Sequence, residues 1–149
     1  MALFNISSLK QVNNLIEYEL PIAGSDGKPA FLSLAPATED NSEYYSALLR
    51  QMSTKSARQQ LKKKDTAALI DDNRAKDKLL YSKHIIKGWT NIEDSSGEPV
   101  VCTSENVLDF LNALDEVSKM IFTEIRGFAS NYQNFLQSEP LDTEDVAKN

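Results

Sequence analysis

The sequence predicts an α+β fold, predominantly α-helical, and three observations carry that reading. Leu15 to Leu20 alternates apolar with polar side chains, and after turn chemistry the apolar pattern resumes from Ala30 to Leu34, which predicts an N-terminal β-hairpin. Tyr44, Tyr45, Leu48, Leu49 and Met52 recur at helical spacing, as do Val107, Phe110, Leu111 and Leu114 further on. Between them the turn residues Asp94-Ser95-Ser96-Gly97 separate two short apolar stretches. The expected order is a β-hairpin, basic central helices, a short hairpin-like turn, a C-terminal angled helix pair and a disordered acidic tail.

Each element has its own signals. Pro21 is expected to end the first strand, with Ser25-Asp26-Gly27-Lys28 as the turn. Asn41 or Ser42 caps a helix running to about Met52. Residues 54–64 have almost no apolar face, so packing does not define a strong helix there, and the segment is expected to be exposed. Asp65 then caps a longer helix through Ala68, Leu69, Leu79, Leu80, Ile85 and Ile86, with both ends docked and the polar middle, 71–78, facing water. Gly88 is expected to end that helix with a positive φ, leaving Trp89 to Ile92 extended. Thr103 or Ser104 caps the next helix, and Asp115 caps a last one carrying Val117, Met120, Ile121, Ile125 and Phe128. So short a link implies an angled pair.

At 149 residues the chain fits one domain with a core of its own, here 1–137, divided into a hairpin region 1–40, a helical basic arm 41–87 and a Trp-turn-helix-helix unit 88–137. The tail, 138–149, is acidic and nearly without apolar residues. Cys102 is the single cysteine, which excludes an internal disulfide framework and suits a small core residue in a reducing compartment. Neither a basic-then-apolar leader nor an apolar run of about 20 residues is visible, so a soluble protein without a membrane partner is expected.

Charge is unevenly spread. The net of −6 divides into −4 over residues 1–49, +7 over 50–87 and −9 over 88–149. A basic arm between acidic ends suits a charged partner, and equally a solvated face. Arg50, Lys55, Arg58, Lys62, Lys63 and Lys64 are the candidate contact residues of that arm, together with Trp89. A tryptophan contributes much contact area at low entropic cost, but at such a corner it more often plugs a core. The arm could neutralise phosphates, yet no aromatic is interleaved with it for base stacking and its flanks are acidic, so nucleic acid is an unlikely partner.

Signals for chemistry are sparse. The glycines open no phosphate-binding loop, and His84, the single histidine, reads as a hydrogen-bonded helix-end residue in preference to a catalytic base. Asp71-Asp72 and Glu144-Asp145 lack the spacing of a calcium loop. No enzyme, cofactor or metal is expected.

The run Lys87-Gly88-Trp89-Thr90-Asn91-Ile92-Glu93-Asp94-Ser95-Ser96-Gly97-Glu98-Pro99-Val100, then Thr103-Ser104-Glu105-Asn106 and Leu108-Asp109-Phe110-Leu111, resembles the tail assembly chaperones of long-tailed, siphovirus-like bacteriophages. The closing Asn134-Phe135 and, loosely, the Leu20-Pro21 strand end and the Tyr44-Tyr45 helix fit the same pattern. The resemblance implies a non-enzymatic protein of the host cytoplasm that binds the tape-measure protein and the tail-tube protein during tail morphogenesis and leaves the finished virion. It also implies that Gly88, Trp89, Gly97, Pro99, Phe110, Leu111, Leu114 and Phe135 form the core of the motif, and that basic arm and acidic ends could pair in a homo-oligomer. Such genes often yield a longer product by slippage near their end, and Ala147-Lys148-Asn149 can be encoded by a slippery run of adenines. Two other classes share the composition: a small virion structural or connector protein, and an acidic phage inhibitor of a host defence or nucleic-acid-binding protein.

Overall fold

The computed structural model describes residues 11–24, 26–53 and 66–136. The arm residues Lys55, Arg58, Lys62, Lys63 and Lys64, the cap expected at Asp65 and the tail with Ala147-Lys148-Asn149 lie outside the described residues. Strands β1 (Ile16–Ala23) and β2 (Pro29–Leu34) pair antiparallel as the expected hairpin. Pro21 does not end β1. The strand passes through it with a register shift between Glu19 and Ala23, which is tolerated because β1 is an edge strand and its proline removes no bond from the sheet interior. At the turn Gly27 takes a φ of 79°, and Asp26 Oδ1 accepts from the Lys28 amide at 3.0 Å.

Helix α1 (Ser42–Ser53) starts at Asn41, whose Oδ1 accepts from the Tyr44 amide at 3.2 Å. Its Nδ2 donates to the His84 carbonyl at 3.2 Å and ties the start of α1 to a segment over 40 residues away. Helix α2 (Thr66–Leu80) is shorter than periodicity suggested. It passes into a π-helical turn, Tyr81–Ile85, and from Ile86 the chain is strand β3 (Ile86–Thr90), antiparallel to β2 in a sheet of order β1-β2-β3. The β-branched pair Ile85-Ile86 is buried, and strand pairing satisfies the backbone of β2 that a longer helix would have left open.

Gly88 therefore does not end a helix, and its φ is not positive. It sits opposite Ser33, where an added Cβ would meet Ser33 Oγ at 3.5 Å, an ordinary contact. Gly97, with φ of 85° and nothing near its Cβ position, is the glycine the second turn requires. We expect Gly97→Ala to cost about 1 kcal/mol and Gly88→Ala clearly less, measured by urea denaturation of both variants. Equal costs would contradict this assignment.

The hairpin-like turn forms as expected. Glu93 bridges Pro99, the Val100 amide donates to the Ile92 carbonyl at 3.0 Å, and Asp94 Oδ1 accepts from the amides of Ser96 and Glu98 and from Ser96 Oγ. Helices α3 (Ser104–Val117) and α4 (Lys119–Ala129) follow, then a 3-10 turn, Tyr132–Phe135. Thr103 caps α3 as expected, its side chain accepting from the Asn106 amide. The cap of α4 is Ser118 and not Asp115: Ser118 Oγ accepts from the Met120 amide at 3.1 Å while Asp115 stays within α3. Val117 and Met120, expected on the apolar face of the last helix, are instead exposed at this elbow.

The helices cover one face of the sheet. Ala30, Leu32 and Leu34 alternate inward along β2 and are buried, as the period of two requires. Tyr18, Leu32 and Trp89 are register partners across the three strands, and the row is closed by ring contacts of Tyr18 with Phe128 of α4 at 4.9 Å and of Trp89 with Phe110 of α3 at 5.3 Å. Val107, Leu111, Phe122, Ile125, Ala129 and Phe135 complete the core.

Candidate interaction surface

Of the partner-contact candidates, the described residues include Arg50 and Trp89. Arg50 is exposed on the last turn of α1. Trp89 is half-buried on β3, edge-on to Phe110, with Nε1 donating to the Val100 carbonyl at 2.8 Å. That bond ties β3 to the far limb of the hairpin-like turn, so Trp89 holds the turn from inside. Trp89→Phe is expected to lose about 1 kcal/mol of stability by thermal melting, the usual net worth of one such bond. No change would show that the indole bond is redundant.

The motif residues separate by role. Leu111, Leu114 and Phe135 are buried, Phe110 is half-buried against Trp89, Gly88 lies within β3, and Gly97 and Pro99 are exposed and shape the turn. Cys102 packs against the core, and burial pushes its thiol pKa up. The backbone of His84 is held by Asn41, while burial, then Lys87, lowers its side-chain pKa and so favours the neutral ring.

Periodicity missed one constellation altogether. The polar middle of α2 faces water only in part: Asp71 and Asn73 are exposed, but Arg74, Asp77 and Lys78 turn inward. Arg74 donates through Nη2 to Asp115 Oδ1 at 2.9 Å and through Nε to Oδ2 at 3.3 Å, and Lys78 Nζ also reaches Asp115 Oδ2 and, at 3.0 Å, Asn112 Oδ1. Arg74 further donates to the Lys119 carbonyl, capping the α3–α4 elbow. One turn on, Asp77 pairs with Arg126 of α4 at 2.8 Å. The guanidinium carbons of Arg74 and Arg126 lie 5.2 and 5.0 Å from the centroid of the Phe122 ring, and Tyr81 meets that ring edge-on at 5.4 Å. Arg126 Nε, buried and without a hydrogen-bond partner among the described residues, belongs to the guanidinium that lies over this ring. Burial raises the Asp115 pKa, but the hydrogen bonds and charges of Arg74 and Lys78 outweigh it and hold the carboxyl below the usual range. Burial, then Tyr44 and Asp77, pushes the Tyr81 phenol far above its ordinary value. The only sequence-level sign of this clasp was the charge of the 50–87 segment, which did not name its partners.

With Arg74, Asp77 and Lys78 turned inward, α2 leaves apolar side chains outside. Ile70 is 60% and Leu79 42% exposed, and on α1 Met52 is 64% and Leu49 48% exposed. A groove floored by Ala47, Leu79 and Leu80 runs between α1 and the π-turn, with Arg50, Lys83 and His84 at its rim. A second groove lies between the two β-turns, with Ile22, Ile92 and Phe110 inside and Asp26, Glu93 and Asp94 around it. Among the described residues no cluster of three or more His, Cys, Asp or Glu could hold a metal ion, and no helix is long and apolar enough to cross a membrane.

The profile of the YdaY prophage protein family matches residues 39–149, from just before α1 to the end of the sequence. This chain belongs to that family. It is thus a phage-derived protein, and the family match takes in α1, the polar clasp, β3 and the elbow, while the β1–β2 hairpin precedes it. Comparison with curated proteins and with solved structures finds no match.

Proposed function

We propose that this prophage protein is a non-enzymatic tail assembly chaperone that binds the tape-measure protein, tail-tube subunits or both in the host cytoplasm before the tail is complete. The observation that carries the reading is the set of exposed apolar side chains at the ends of α1 and α2, Leu49, Met52, Ile70 and Leu79, on the two helices that flank the basic arm 54–65 in sequence. A tape-measure protein is a long amphipathic helix whose apolar stripe stays open to water until the tube encloses it. A small helical subunit with an exposed apolar face and a groove rimmed by cations suits the masking of such a stripe. Phage origin and the resemblance of the 87–111 segment to tail assembly chaperones point the same way.

The test is an affinity pull-down of the tagged full chain from phage-producing cells, at low and moderate salt, with bound proteins identified by mass spectrometry. Tape-measure or tube protein should be recovered from wild type and lost with Met52→Glu combined with Ile70→Glu, two exposed positions that leave the core intact. Recovery of a host nuclease or defence protein alone would replace this reading with that of an acidic inhibitor. Presence of the chain in purified particles would make it a virion structural protein.

A further inference from the structure

We propose that copies of this chain associate head to tail, the basic arm of one copy, residues 55–64, seating on the acid-rimmed groove between the two β-turns of the next. The inference does not depend on the tail-assembly reading. The groove is built from parts far apart in sequence: Gly24 and Asp26 form one wall, Asn91 to Asp94 the other, and Ile22, Ile92 and Phe110 line it above the buried Leu20 and Ala30. It encloses about 210 Å³, several times the ~30 Å³ share of one water molecule, so it admits a side chain. The walls are fixed relative to each other. Asn91, at a φ of 62°, donates through Nδ2 to the carbonyls of Lys28 and Pro29 at 3.2 and 3.1 Å, locking the second turn to the base of the first.

Charge identifies the occupant. Asp26, Glu93 and Asp94 all stand at the rim, and hydrogen bonds within the turns lower the pKa of both aspartates: foremost from the Lys28 amide for Asp26, and from the Ser96 hydroxyl, then the Glu98 and Ser96 amides, for Asp94. The matching charge is within this chain. Residues 55–64 hold five cations, Lys55, Arg58, Lys62, Lys63 and Lys64, and their one large apolar residue, Leu61, directly precedes the lysine triplet. An apolar residue bordered by cations is the complement of an apolar floor bordered by carboxylates. Arm and groove are different surfaces, so the contact is heterologous, and such contacts grow into rings or open chains and do not stop at a two-fold dimer.

Sedimentation velocity on the purified full chain tests this. Wild type should self-associate with rising concentration at low salt and dissociate as salt shortens the screening length to about 10 Å near 0.1 M. Glu93→Lys, at an exposed position, should weaken association by roughly tenfold or more, and so should the triple variant Lys62→Glu, Lys63→Glu, Lys64→Glu. Circular dichroism and thermal melting separate this from misfolding. Each variant keeps one competent surface, so an equimolar mixture should form heterodimers and nothing larger. Wild type remaining monomeric at low salt, Glu93→Lys associating like wild type, or a mixture that stays monomeric would each overturn the proposal.

Discussion

Asp115→Ala is expected to destabilise the protein by about 3 kcal/mol, within the range found when one partner of a buried ion pair is removed. Asp115 and its two partners are each at least four-fifths buried in their side chains, so the deletion leaves Arg74 and Lys78 with positive charge in a site where water replaces the carboxylate poorly. For a chain of this size the loss corresponds to roughly 6–12 °C in melting temperature. Combining Asp115→Ala with Lys78→Met should cost less than the sum of the two, because the second change removes one of the stranded charges. Additive costs would mean the three side chains are energetically independent. The same carboxylate predicts a pH dependence. Its folded pKa lies below the 3.8 of the free side chain, so its contribution is present above pH 3.8 and is lost as pH falls through the folded value. Wild type should lose that increment on acidification, and the gap between wild type and Asp115→Ala should narrow.

Phe122→Ala carries the other large effect, about 3–5 kcal/mol. The ring is fully buried, is flanked by two guanidinium groups and takes the edge of Tyr81, so truncation opens a cavity and removes the surface on which Arg74 and Arg126 rest. Phe122→Leu restores most of the volume but no aromatic face, and should cost about 1 kcal/mol. Hydrogen exchange provides a local readout. In Phe122→Leu, α2 amides from about residue 70 onward should exchange faster while β2 stays protected, since α2 is held to α3 and α4 largely by charges meeting over this ring. Uniform acceleration across sheet and helices would show that Phe122 supports the whole core and not the docking of α2.

These two experiments bear on the region where sequence reasoning and structure part most clearly. Along α2 the sequence offers apolar residues at both ends and a charged middle, and periodicity alone reads such a segment as docked at its ends and wet at its centre. The structure reverses it. Arg74, Asp77 and Lys78 turn inward because Asp115 and Arg126, from 37 to 49 residues away, neutralise them, while Ile70 and Leu79 are left outside. Local spacing holds no record of so distant a partner. The same limit explains Asp115, a plausible cap by its position in sequence but an ion-pair acceptor once α2 lies against α3. It also explains Ile86, which continues an apolar rhythm compatible with helix until the unpaired edge of β2 draws it into a third strand.

Elsewhere local physics sufficed. The turns depend on Gly27, Gly97, Asp26 and Asp94, whose backbone freedom and short-range hydrogen bonds operate within four residues. The caps Asn41 and Thr103 act over three residues, and the stripe of Val107, Leu111 and Leu114 needs only the helical period to define a buried face. The sequence by itself therefore determined an α+β chain, the hairpin, the start of α1, the second turn and α3, all governed by interactions of short range. Only the tertiary structure decided that a third strand exists, that Arg74, Asp77 and Lys78 of α2 turn inward, and that two distant turns enclose an acidic groove, because each depends on groups that meet only after the chain has closed on itself.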